Sequence, residues 1–100
     1  MSDRTLVFED FADKVEQLFV VSDAEVPAIP LTLAEAELLS AKPARPGIRP
    51  PFTLTFLAKD PRVLPQRLYR MEHGQLGDLT IFLVPIGKDA QGVKYQATFN

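Results

Sequence analysis

His73 is the only histidine and the first residue to weigh for chemistry. A metal centre needs three or four ligands at recurrent spacings. Glu72 is the nearest acid, but adjacent residues of a strand point to opposite faces, so the two cannot hold one ion. His73 also opens the stretch His73-Gly74-Gln75-Leu76-Gly77, whose glycines suit a tight turn. An imidazole nitrogen can accept from turn backbone, so His73 reads as a buried polar residue, not as a metal ligand. Ser2, Ser22 and Ser40 stand in a tail, a turn and a loop entry, without the adjacent base that a nucleophile requires. Gly74 and Gly77 lack the helix that follows a phosphate loop. There is no cysteine, which excludes thiolate nucleophiles, thiolate metal sites and disulfides. Glu35 is the carboxylate expected to tilt inward. A buried acid can mark an active site, but a bulged or paired acid is the commoner reading. No catalytic, cofactor-binding or metal-binding residue is assigned, and the chain is expected not to be an enzyme.

The remaining candidates are cations. Residues 40–51 contain Pro43, Pro46, Pro50, Pro51 and Gly47, with Lys42, Arg45 and Arg49 among them. Prolines this dense exclude helix and central strand and favour an exposed, extended segment. Three like charges on such an arm suit an acidic protein partner, and the same segment also reads as a plain connector. Charge is uneven along the chain. Residues 1–41 hold nine acids and two bases, residues 42–71 hold seven bases and one acid, and the net charge is −2. Acidic and basic blocks can pair within a fold or across an interface. A pI near 5.3 argues against a nucleic-acid partner.

These residues need elements to hold them. In residues 9–18, Phe11, Val15 and Leu18 recur at helical spacing, with Glu9 and Asp10 in the first turn, so the spacing predicts an N-terminal helix. Short strands follow at 19–22, 29–39, 52–58, 67–73, 79–86 and 93–99. In 31–39, the Ala, Glu and Leu content also suits a helix, but Pro30 and the Leu31-Thr32-Leu33 alternation favour strand, which places Leu31, Leu33 and Glu35 on one face and Ala36 and Leu38 on the other. Strict alternation cannot bury all four apolar residues, so a β-bulge is expected near Ala34-Glu35. Phe52, Leu54 and Phe56 alternate cleanly, as do Val93, Tyr95, Ala97 and Phe99. Residues 87–92 form a turn cluster, so 79–86 and 93–99 should pair antiparallel. Phe56 and Phe82 are expected in the core, with an exposed binding face as the alternative.

A chain of 100 residues with 46% apolar content reads as one domain over 1–100. The fold class expected is mainly β (α+β), a six-stranded antiparallel barrel or roll with one N-terminal helix. The chain reads as a small, finished module. No basic-then-apolar leader is visible at its start, and no apolar run reaches the roughly 18 residues of a spanning helix. Membrane insertion is therefore not expected. A cytoplasmic protein, or one exported without a classical signal peptide, fits.

Several motifs together resemble a known pattern. They are Asp10-Phe11, Leu31-Thr32-Leu33 with Glu35-Ala36, and Pro51-Phe52 with Leu54 and Phe56. Gln66, Tyr69, His73 and Leu76-Gly77 follow, then Phe82-Leu83-Val84-Pro85-Ile86-Gly87 and the closing Tyr95, Ala97 and Phe99-Asn100. The set is similar to an uncharacterised family of small bacterial domains of unknown function, often encoded beside phage-tail-collar-type fibre proteins. The resemblance covers nearly the whole chain and is most specific in its closing motif. It implies a non-enzymatic interaction or assembly module with a protein partner, no cofactor and no catalytic residues. The alternative is a small-ligand or glycan-binding domain.

Overall fold

The computed structural model describes residues 6–23, 26–39 and 50–99. One short helix, α1 (Glu9–Ala12), precedes six strands: β1 (Leu18–Val21), β2 (Ile29–Leu38), β3 (Phe52–Ala58), β4 (Arg67–His73), β5 (Gly77–Asp89) and β6 (Gly92–Phe99). All pairings are antiparallel, and the strands close into a ring in the order β1-β2-β3-β6-β5-β4. The fold is mainly β, with almost no helix.

The ten-residue helix expected over 9–18 is a correction. Only one turn forms, and it carries Phe11 into the core. Glu16 adopts φ 74°, which swings the chain out of the helix. Its N–H donates to the Leu33 carbonyl (2.7 Å), and Gln17 accepts from the Leu33 N–H (3.0 Å). By Gln17 the chain has joined the ladder with β2. An isolated helix this short is marginal, so strand pairing wins, and Val15 and Leu18 end exposed.

Strand β2 has the expected bulge, and the bulge overturns the expected burial of Glu35. The register jumps between Leu33 and Glu35. Before it, Leu33 lies opposite buried Phe56; after it, Glu35 lies opposite Thr55 and Ala36 opposite buried Leu54. One extra residue flips the strand's inside and outside. Glu35 is therefore exposed, and Ala36 packs against the core.

Strand β5 bends between two partners. Its first half, residues 77–83, pairs with β4, and its second half, 84–89, pairs with β6. Residues 87–89, expected as turn, continue the strand and leave a tight connection at Ala90 and Gln91. Only the second half of β5 meets β6, which narrows the pairing expected for 79–86 with 93–99. Phe82 is a second correction. Leu79, Ile81 and Leu83 face inward, so Phe82 faces out, 44% exposed, opposite Leu68 at 56%. Phe56 is fully buried.

Side chains fill the ring. Phe11 packs against Phe19, Phe52 and Phe99 at centroid distances near 6 Å at one end, where Phe52 stacks on Phe99 at 4.5 Å. Leu64, from the β3–β4 connection, is buried toward the other end. Gly92 is a tight approach between strands. At φ 136° its added Cβ would fall 1.9 Å from the Ala58 carbonyl oxygen.

Two outcomes follow. Phe56→Ala should cost about 3–5 kcal/mol in a denaturant titration, against under about 1 kcal/mol for Phe82→Ala, because only the first leaves a buried void. Gly92→Ala should cost more than about 2 kcal/mol, since relief requires β6 to move off β3; an unchanged midpoint would contradict that contact.

Candidate functional site: a buried polar cluster and an apolar outer wall

The inward alternation of Tyr69, Met71 and His73 along β4 brings His73 to the α1 end of the ring, 7% exposed. Its ring packs on Phe19 with centroids 4.5 Å apart. Nδ1 accepts from the N–H groups of Gln75 (3.0 Å) and Leu76 (3.2 Å) in the turn that follows. A nitrogen accepting from backbone donors carries no proton, so Nε2 bears it and donates to Gln17 Oε1 at 2.6 Å. Both ring nitrogens are engaged. Burial pushes the His73 pKa below its usual value, nearby Lys14 lowers it further, and Asp13 opposes them. Lys14 is itself buried along its stem and paired with Asp13, whose carboxyl is held below the usual range by that hydrogen bond. Glu72 lies on the opposite, exposed face.

Two tyrosines do comparable work toward the other end. Tyr95 Oη accepts from the Leu64 N–H (2.9 Å) and donates to the Arg62 carbonyl (3.4 Å), while Tyr69 Oη donates to the Pro65 carbonyl. Burial raises both phenol pKa values, which keeps the donors protonated. These hydroxyls pin residues 62–65 over the core. The sequence reading did not single them out for this. The signal was present: tyrosine at a core position needs a partner for its hydroxyl where phenylalanine would not. Nearby, Arg62 grips Asp60 through its side chain and backbone, holding that carboxyl at about 2. Arg67 lies over the Tyr69 ring at 4.3 Å and pairs with Asp23 at 3.2 Å.

The outer wall carries the exposed apolar residues. Leu68 and Phe82 form one directly opposed pair. Leu18, Pro30, Thr32 and Leu57, with Lys59 and Asp60, line a shallow depression of about 340 Å³ across β1, β2 and β3. Lys42, Arg45 and Arg49 lie outside the described residues. Glu35 is exposed after the bulge, whereas His73 faces inward. Among the described residues no cluster of three or more His, Asp and Glu could hold a metal ion, and no helix is long and apolar enough to cross a membrane.

Residues 6–99 match a family described as a domain of unknown function (DUF6916), and the chain belongs to it. No curated protein and no solved structure matches the chain.

The His73 geometry fixes a pH response. Protonating Nδ1 would set a cation against two backbone donors. The folded state therefore binds fewer protons than the unfolded chain, whose histidine titrates near 6.5. Stability is full above that value and falls as pH drops through it toward the lower folded pKa. Thermal melts of His73→Asn, whose carboxamide oxygen can still accept from the turn, should lose this slope between pH 7 and 5. A slope identical to that of the parent protein would place the titrating group elsewhere.

Proposed function

We propose that this member of the family is a non-enzymatic interaction and assembly module with a protein partner. The carrying observation is where its side chains are engaged. Both nitrogens of His73 and the hydroxyls of Tyr69 and Tyr95 are committed to backbone or amide partners. Large apolar residues meanwhile stand on the outer wall. Groups tied into the fold in this way hold shape, whereas exposed apolar pairs suit association. The resemblance to bacterial domains encoded beside fibre or tail-collar-like proteins supports a partner of that kind, met in the cytoplasm or at a surface assembly.

A small-ligand or glycan-binding domain is the second reading. The depression formed by Leu18, Pro30, Thr32 and Leu57 favours it, with Lys59 and Asp60 adding polar groups. Recovery from the native organism followed by mass spectrometry separates the two. A single co-purifying fibre protein supports the first reading; saturable binding of a small ligand or glycan with no protein partner supports the second.

On the sequence expectation of an extended, solvent-facing arm, replacing Lys42, Arg45 and Arg49 together by Ser should leave the thermal transition nearly unchanged, since charges on such an arm contribute about 0–1 kcal/mol each. Binding to the identified fibre protein should weaken and lose salt sensitivity, because attraction between exposed charges is screened over about 8 Å at physiological ionic strength. Unchanged affinity at low salt would reduce the basic segment to a connector.

A further inference from the structure

Strand β2 outruns its neighbour on one side. The Leu33 N–H donates to the Gln17 carbonyl (3.0 Å), and the Leu33 carbonyl accepts from the Glu16 N–H (2.7 Å). There the chain leaves β2: Glu16 has φ 74°, and the Gln17 N–H closes a turn onto the Lys14 carbonyl (3.0 Å). On the other side β3 stays paired with β2 as far as Phe52 with Leu38. The Leu39 N–H donates to the Pro51 carbonyl (2.9 Å), so 39 with 51 is a hydrogen-bonding position of that ladder. Counting back by twos, Glu37 with Thr53 and Glu35 with Thr55 also bond, whereas Ala36 and Leu38 do not. The count from Leu33, which lies opposite Phe56 and spends its groups on Glu16 and Gln17, gives the same alternation. The N–H and C=O groups of Ala36 and Leu38 therefore point away from β3, and among the described residues none bonds them. Such a row of donors and acceptors is a template for another strand.

The side chains of this edge fit an added strand of one particular kind. Ala36 and Leu38 share the inward face, opposite buried Leu54 and Phe52. Leu38 is nonetheless 38% exposed, because no described strand stands on its far side. Glu35 and Glu37 share the outward face, and both are exposed. Thr55 and Thr53 lie opposite them, with Gln96 and Thr98 next on β6, so the row carries no charge to answer theirs. Among the described residues no cation pairs with either carboxylate.

We infer that the β2 edge at Ala36 and Leu38 takes an extended segment of another protein in which Lys or Arg alternates with apolar residues. The inference rests on the reading of the domain as an interaction module and names the chemistry of its partner. An added antiparallel strand satisfies the edge through hydrogen-bonded pairs at Ala36 and at Leu38. Guest residues at those positions face inward, and an apolar side chain there covers Leu38. Guest residues between them face outward, one directly opposite Glu37 and the next opposite Glu35, where a cation is attracted. The same carboxylates exclude a second copy of this chain. A two-fold axis that sets Ala36 of one copy against Leu38 of the other brings the two Glu37 side chains face to face. Like charges directly opposite are destabilising, so the edge selects against itself and for a basic strand. So short an edge makes a small interface, and binding is weak and reversible.

The probe is a capped hexapeptide alternating Lys and Val, titrated into the full chain at low salt and followed at the Ala36 and Leu38 amide resonances. Saturable shifts are expected, with a Kd between about 10 μM and about 1 mM. Hydrogen exchange at the same two amides should slow at least about tenfold in the complex. Binding should weaken by about tenfold in about 0.5 M salt. Glu35→Gln combined with Glu37→Gln should keep the thermal transition and weaken binding to a similar degree. Leu38→Pro removes an N–H that makes no ladder bond, so it should retain a cooperative melt and abolish binding. If Leu38→Pro does not fold, the double Gln variant and the exchange data decide. No saturable shift at Ala36 and Leu38 overturns the inference. So does equal binding of a Glu–Val hexapeptide, or of one whose Lys and Val residues stand in separate blocks. Protection of the two amides on concentrating the protein alone would give the edge to a second copy and overturn it as well. A co-purified protein that binds while these amides still exchange fast overturns this inference and leaves the module reading intact. Peptide binding at the edge with no protein partner recovered from the native organism does the reverse.

Discussion

The ring depends on one narrow seam. β1 meets β4 through two register pairs, Val20 with Glu72 and Val21 with Met71. Without them the sheet would be an open strip with its apolar face in water. So short a ladder is weak alone, and side chains extend it in both directions. On one side Gln17 bonds His73, and Phe19 packs on the imidazole. On the other, Ser22 bonds the Arg70 carbonyl, and Asp23 pairs with Arg67, which lies over Tyr69. This placement gives His73 its physical reason. A neutral imidazole can accept from the turn and donate across the seam at once, which neither a carboxylate nor an ammonium can do.

What the sequence revealed follows the strength of its local signals. Strands 52–58 and 67–73 were legible to the residue, because each alternates cleanly and ends at turn-forming residues. The inward placement of His73 came with that alternation. Its partner Gln17 did not, since a contact across 56 positions leaves no local mark. The helix over 9–18 was over-read because apolar spacing is blind to a competing strand partner. The bulge in β2 was legible from surplus apolar residues, yet its consequence for Glu35 was not, because parity had to be carried through the inserted residue. Phe82 sits in a run apolar on both faces, where alternation is silent and only pairing decides which side turns inward.

The two walls of the ring divide its labour. Inward positions hold the packed aromatics and the polar atoms that fasten turns to strands. Outward positions hold most of the charge and the few apolar pairs that the core does not use. Chemistry inside such a ring would require loosening groups that maintain closure. Recognition outside it requires only that the wall stay where the core puts it. That asymmetry lets the outer face vary without disturbing the fold beneath.

The position of β6 has a consequence for synthesis. It is the sixth strand in chain order, yet it lies between β3 and β5. Until it emerges from the ribosome, β3 and the second half of β5 each lack a neighbour. The nascent chain then carries two open edges and an uncovered apolar face. Pairings between residues as distant as Phe52 and Phe99 must also await the synthesis of β6. A protein wired this way folds only once β6 has been made rather than strand by strand, over the milliseconds to seconds typical of non-local β topologies. Its demand on chaperones is therefore set by the interval between the making of β3 and the arrival of β6.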